Sequence, residues 1–177
     1  MSQVNVPDDL SSIMDAIDLG PTGSVQMMFA KLQLAQSEIC KAQATDYMKQ
    51  IEEIQNEQKE CAEMIEQARK LQNDAKTGKG NCPWDKKASM MPQEMADYFK
   101  KHNLSYDTTG NDLAHNPDEW DYNLKSLTNY QEQIGNKTQT LMVYLQDFIG
   151  QYNSYLQGAN TQVSTANQTL TSLARGQ

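Results

Sequence analysis

Along the last third of the chain, from about Asn123 to Leu173, apolar or small residues return at alternating steps of three and four. The series runs through Leu127, Ile134, Leu141, Leu145, Phe148, Tyr152, Tyr155, Ala159, Val163, Ala166 and Leu170. This spacing belongs to a helix that buries a narrow seam against another helix, and it lasts about seven heptads. A double step of four, Tyr155 to Ala159 to Val163, reads as a coiled-coil stutter. At about 1.5 Å per residue the helix would run roughly 80 Å and would need partners to be stable. Beside the seam lies a second column, Met142, Ile149, Leu156, Val163 and Leu170, which recurs every seven residues. A stripe widened in this way suits more than one neighbour, so the column predicts self-association. The competing reading is a tighter fold-back of the chain's own segments.

A partner for the last helix is present in the first half. From Val25 to about Asp74 there is no Gly and no Pro, and helix formers dominate. Ser24, after Gly20-Pro21-Thr22-Gly23, is the expected N-cap. The predicted seam begins Val25, Met28, Leu32, passes Gln36, Cys40 and Ala44 with a phase shift, and continues through Ile51, Ile54, Cys61 and Ile65. Two helices of similar length predict an all-α fold, a long antiparallel two-helix coiled coil. Its hairpin seam would include Leu32, Ile51, Ile54, Ile65, Leu141, Leu145, Phe148 and Tyr152. The expected divisions are a leader at 1–23, a first helix at 24–76, an insert at 77–117 and a second helix at 118–177.

The insert reads as small and mostly irregular. Pro92 suits the start of a short helix reaching about His102, with Ser89 as its cap and Met95, Tyr98 and Phe99 as its buried face. Leu104 and Tyr106 suggest a short extended piece, and Trp84 and Trp120 read as anchors packing the insert. The leader reads as flexible: Ile13, Ile17 and Leu19 suggest at most one helical turn.

Charge changes this picture at one end. The stretch from Lys49 to Lys70 is crowded with Glu and Lys, whereas from Phe148 onward Arg175 is the only charged side chain. Val25 to Cys40 holds only Lys31 and Glu38. Charged side chains normally keep an exposed helical face dissolved, so a long neutral end predicts a surface covered in the working state. The 177 residues carry a net charge of −8, which argues against nucleic acid and anionic membrane as main partners. Mean hydropathy is −0.75 and apolar runs are short, so no integral membrane segment is expected. The start of the chain lacks a basic region and an apolar block, and so does not read as a cleaved secretory signal.

Few residues of the chain are able to carry chemistry. Cys40, Cys61 and Cys82 form no CxxC pair and read as small buried hydrophobes. Asp112, His115 and Asp118 stand at steps of three, but Asn116-Pro117 disfavours the helix that would align them. Asp107 to Asp112 has calcium-loop composition without the spacing or terminal Glu of an EF-hand. No nucleophile elbow, phosphate loop or HExxH motif occurs. The expectation is therefore no enzyme activity, no cofactor and no metal.

Three stretches resemble a known family. Met28-Phe29-Ala30 with Ala35-Gln36-Ser37-Glu38-Ile39 and Lys41-Ala42 is similar to the first long helix of EspA-like proteins, the filament subunits of type III secretion translocators, to which SseB-type proteins are related. Met91-Pro92-Gln93-Glu94-Met95-Ala96-Asp97-Tyr98 resembles that family's short helix in the insert, and Leu170-Thr171-Ser172-Leu173-Ala174-Arg175-Gly176 resembles its C-terminal helix. The resemblance implies an exported, extracellular subunit polymerised into a helical filament that continues a secretion needle. It also implies export without a cleaved signal, a dedicated cytoplasmic chaperone before export, and contact with the needle and other translocator proteins. The charged segment Lys49 to Lys70 and the three cysteines depart from the family pattern. A reading from another class, an intracellular helical adaptor or chaperone binding a partner's amphipathic helix, would use the same wide apolar stripe.

Overall fold

Two helices carry most of the protein, α2 at Val25–Lys76 and α4 at Pro117–Arg175. The computed structural model describes residues 10–18 and 24–176. A short α1 spans Leu10–Ala16, so part of the expected leader is helical. Residues 1–9 and 19–23 of that leader, including Leu19 and the Gly20 to Gly23 breaker, lie outside the described residues. Between α2 and α4 come strand β1 (Ser89–Met90), helix α3 (Gln93–Lys101), a 3-10 turn (Thr109–Asn111) and strand β2 (Ala114–His115). The all-α coiled-coil hairpin is thus the observed fold, and the insert contains a small antiparallel β-pair in which Ser89 faces His115 and Met90 faces Ala114.

The chain divides into two compact units, Met1–Ile51 with Thr140–Gln177, and Glu52–Gln139. In the first unit α2 and α4 run antiparallel. Tyr47 stacks on Phe148, and Cys40 Sγ lies 3.8 Å from Gln151 Oε1. The side chain of Gln33 closes over Gly158. Toward the chain ends the seam here is made of small residues: Ala30, Ala35, Ser37, Cys40 and Ala44 are buried on α2, and Ala159 and Ala166 on α4, while Ile51 and Leu141 are buried at the other end of the unit. Ser24 caps α2 as expected, its Oγ accepting from the Met27 amide at 3.2 Å.

This corrects the sequence reading of the neutral end. Val25 and Met28, placed in the seam, are exposed, and so are Leu170 and Leu173. The buried set Ala30, Ser37, Ala44 and Ile51 keeps a strict seven-residue spacing with no phase shift. On α4 the spacing from Tyr152 through Ala159 to Ala166 is likewise regular, so burial requires no stutter at Val163. Small side chains let two helices approach closely, which leaves the bulky residues on other faces. A search for large apolar residues misses such a seam.

In the second unit Ile54, Cys61, Ile65, Ala68 and Ala75 of α2 are buried, with Trp120, Leu127 and Ile134 of α4. The Cys61 thiol donates to the Leu127 carbonyl at 3.5 Å, and Gln72 Nε2 donates to the Pro117 carbonyl at 3.1 Å and to the Asp121 carboxylate. Met95, Tyr98 and Phe99 form the buried face of α3. Ser89 does not cap that helix: it lies in β1, and its hydroxyl donates to the Leu71 carbonyl at 2.8 Å. Pro92 occupies the cap position without a side-chain hydrogen bond. Leu104 and Tyr106 are not in a strand, although Tyr106 packs on Phe99 with ring centroids 5.3 Å apart. Trp120 is fully buried, but Trp84 is 68% exposed and anchors nothing. The inward position of that loop belongs to Cys82, whose amide donates to the Ala88 carbonyl.

Helix α4 starts with a reciprocal cap. Asn116 Oδ1 accepts from the amides of Asp118 and Glu119 at 2.9 and 3.0 Å, and Glu119 Oε2 accepts from the Asn116 amide at 2.8 Å. This is a capping box with Pro117 at the first helical position, where its missing N–H costs nothing.

Candidate self-association surface

The candidate seam residues Ile51, Ile54, Ile65 and Leu141 are buried, and Leu32, Leu145, Phe148 and Tyr152 are partly buried. In the outer column Met142, Ile149 and Leu170 are exposed, while Leu156 and Val163 are partly buried. Met142, Ile149 and Leu170 of the column thus face outward, whereas Leu156 and Val163 share the partial burial of Leu145, Phe148 and Tyr152.

The first unit exposes more apolar side chains than the column supplies. Val143, Tyr144 and Leu173 on α4, and Val25, Met28, Phe29 and Met48 on α2, are also exposed. Ten of the twelve large hydrophobic side chains exposed among the described residues belong to the first unit, at 43–66% exposure. Single exposed apolar residues need no explanation, but a concentration of them marks an interaction surface. Met14 of α1 joins Val25, Met28, Phe29, Lys31 and Leu32 around an apolar groove of about 510 Å³.

The polar residues of this end are less hydrophilic than their names suggest. Thr161, Thr165 and Thr169 each donate their hydroxyl to the carbonyl four residues earlier, at 2.9–3.0 Å. Thr171 and Ser172 do the same at 2.8 and 2.9 Å. A hydroxyl turned back on its own helix spends its proton there, and threonine then shows its methyl group outward. The bond needs only a helical backbone, and Thr138 makes it too, to the Ile134 carbonyl at 3.0 Å.

The second unit holds a different arrangement, a cluster of titratable groups. The Tyr130 hydroxyl donates to the Glu57 carboxylate and lies 2.6 Å from His102 Nδ1, which is itself 3.1 Å from Glu57 Oε1. Burial pushes the Tyr130 phenol well above its ordinary range, and its hydrogen bond to Glu57 adds to the effect. Tyr98, its ring tilted against that of His102, is pushed up mainly by burial, with the neighbouring Cys61 contributing. The Cys61 thiol is raised by burial as well. Both tyrosines and the thiol therefore stay protonated, which suits packing and not nucleophilic chemistry. Cys40, Cys61 and Cys82 are buried and free.

Asp112, His115 and Asp118 do not form the three-step helical face that their spacing suggests. His115 lies in β2, and α4 begins only at Pro117. Asp118 is exposed, and Asp112 Oδ1 accepts from the Ala114 amide. No helix among the described residues is long and apolar enough to cross a membrane. Compared with protein-family models, curated proteins and solved structures, the chain matches none.

Proposed function

We propose that this chain is a structural subunit that associates with further copies of itself through the exposed apolar column of α4. The observation that carries this reading is the inversion of the first unit: small residues fill its seam while bulky apolar residues face out, and 148–174 carry no charge. An uncharged surface offers nothing to an ionic partner. Its match is another uncharged, apolar helical surface, and a second copy supplies one.

The family resemblance gives this assembly a setting. The subunit would be exported and built outside the cell into a filament or tip extension of a type III secretion needle, forming a conduit toward a host cell. Before export a chaperone would cover the same surface, because uncovered it would associate prematurely. The test is negative-stain microscopy and sedimentation of the full chain, purified and concentrated. Assemblies that lengthen with concentration are expected, since a non-closing contact between copies grows without limit. Small closed oligomers would favour the adaptor reading, and a monomer at high concentration would overturn the proposal.

A further inference from the structure

Seven buried side-chain nitrogen or oxygen atoms lack a hydrogen-bond partner among the described residues, and four of them sit together in the second unit. They are both ring nitrogens of His115, Nε1 of Trp120 and Nδ2 of Asn123. Buried polar atoms are almost always paired. Trp120 Nε1 and Asn123 Nδ2 are N–H donors and call for acceptors, whereas a neutral imidazole also leaves one ring nitrogen with a lone pair, which calls for a donor or a cation. His115 is the sharpest case. It is 0% exposed, it packs edge-on against Trp120, and its Nδ1 stops 3.9 Å short of Glu119 Oε2. That gap is too long for a hydrogen bond.

One oxygen each from Asp107 and Glu119 and one ring nitrogen from His115 all lie within 4.8 Å of one another. Ligands held about 2.0–2.2 Å from a single ion stand roughly 3–4 Å apart, and the 3.9 Å between His115 Nδ1 and Glu119 Oε2, too wide for a hydrogen bond, falls in that range. We infer that Asp107, His115 and Glu119 bind a divalent transition cation of the zinc type. Two carboxylates with one imidazole form a donor set suited to such ions, and three protein ligands leave positions for water. Calcium would require six to eight oxygens.

The donors are prepared for this role. Asp107 is fixed by its own contacts: its amide donates to Asn123 Oδ1 at 2.7 Å, and its carboxylate accepts from the Thr109 amide and hydroxyl at 2.9 and 3.1 Å. Glu119 is oriented by the capping box. Each carboxylate oxygen keeps a lone pair beyond the one so used. The ion would tie the loop at Asp107 and strand β2 to the first turn of α4.

The inference is independent of self-association, and its test reads binding alone. The metal-free full chain is titrated with Zn²⁺ by calorimetry, and with Co²⁺ by absorption. One equivalent should bind, with a cobalt spectrum free of thiolate charge transfer. Glu119→Gln and Asp107→Asn should each weaken binding by at least about tenfold, the scale of losing a well-placed contact at a metal site. Glutamine still closes a capping box, so metal-free Glu119→Gln should melt like the parent chain. His102→Gln alters the other histidine, beside Glu57, and should leave the titration unchanged. The proposal is overturned by the absence of one-equivalent binding, which would leave a buried water as the partner of His115. A thiolate band would overturn it too, as would parent-like affinity in both carboxylate variants or loss of binding only in His102→Gln.

Discussion

Tyr47 and Phe148 face each other in the first unit with ring centroids 5.5 Å apart and planes inclined by 18°. Tyr144 joins them at 5.8 Å from Tyr47. Besides the buried Ile51 and Leu141, the buried side chains of this unit are mostly alanine, serine and cysteine, so the aromatic pair is one of its few contacts between large side chains. Phe148→Ala should therefore cost about 2–3 kcal/mol, the low end for a phenylalanine truncation because the ring is only partly buried. Denaturant unfolding followed by circular dichroism checks this, and a loss under about 0.5 kcal/mol would show that alanine packing suffices.

Alkaline pH should destabilise the second unit. The phenols of Tyr98 and Tyr130 are raised in the folded protein, chiefly by burial. The unfolded chain releases those protons near pH 10 while the folded chain keeps them. Stability from this source is complete below about pH 10 and falls as pH rises beyond it, by up to about 1.4 kcal/mol per pH unit for each tyrosine. Thermal melts from about pH 8 to 11 should drop steeply in the parent chain. They should drop less steeply in a Tyr98→Phe, Tyr130→Phe double variant, whatever its starting stability.

Gly80 is a position where a side chain has no room. A Cβ there would stand 1.9 Å from the Ala88 carbonyl oxygen and 2.9 Å from that of Lys86, both main-chain atoms that move only with the loop. The Gly80 amide also donates to the Lys86 carbonyl at 2.9 Å. Gly80→Ala should cost about 3 kcal/mol, the upper part of the overpacking range, measured by denaturant unfolding. Gly150→Ala in α4 should do the reverse. Nothing lies within 4 Å of its added methyl, so helix propensity alone acts and should stabilise by up to about 1 kcal/mol.

The large aliphatic residues made the hairpin legible. Ile51, Ile54, Ile65 and Leu141 repeat at helical spacing and are buried. The neutral end was legible in charge but not in packing. Its seam uses Ala30, Ser37, Ala159 and Ala166, which no hydrophobicity pattern separates from the surface, and the bulkier Val25, Met28 and Leu173 drew the reading to the wrong face. Strands of two residues carry no periodicity, so Ser89 and His115 gave no sign of pairing. Asp107 and Glu119 are brought to His115 by a loop, a strand and a capping box, and their spacing in sequence encodes none of this. Proline placed the start of α4 correctly and for the same reason ruled out the metal set that sequence spacing offered.

Leu141 and Ile149 lie on the same helix, one buried and the other 43% exposed, and this contrast separates folding from assembly. Replacing Leu141 by Asp puts a carboxylate among apolar side chains, where an unpaired charge costs several kcal/mol or forces its own protonation. That variant should lose helicity and melt early as an isolated subunit. Replacing Ile149 by Asp leaves the charge in water while the subunit is alone, so its helicity and melting should match the parent chain. Assembly would have to strip water from that carboxylate against an uncharged neighbour, and sedimenting material should disappear. Thermal melts by circular dichroism and sedimentation, run on both variants, give the two readings. If Ile149→Asp melts as early as Leu141→Asp, the column belongs to the subunit's own core. If it melts normally and still assembles, copies meet through some other face. Either result removes the basis for self-association through α4.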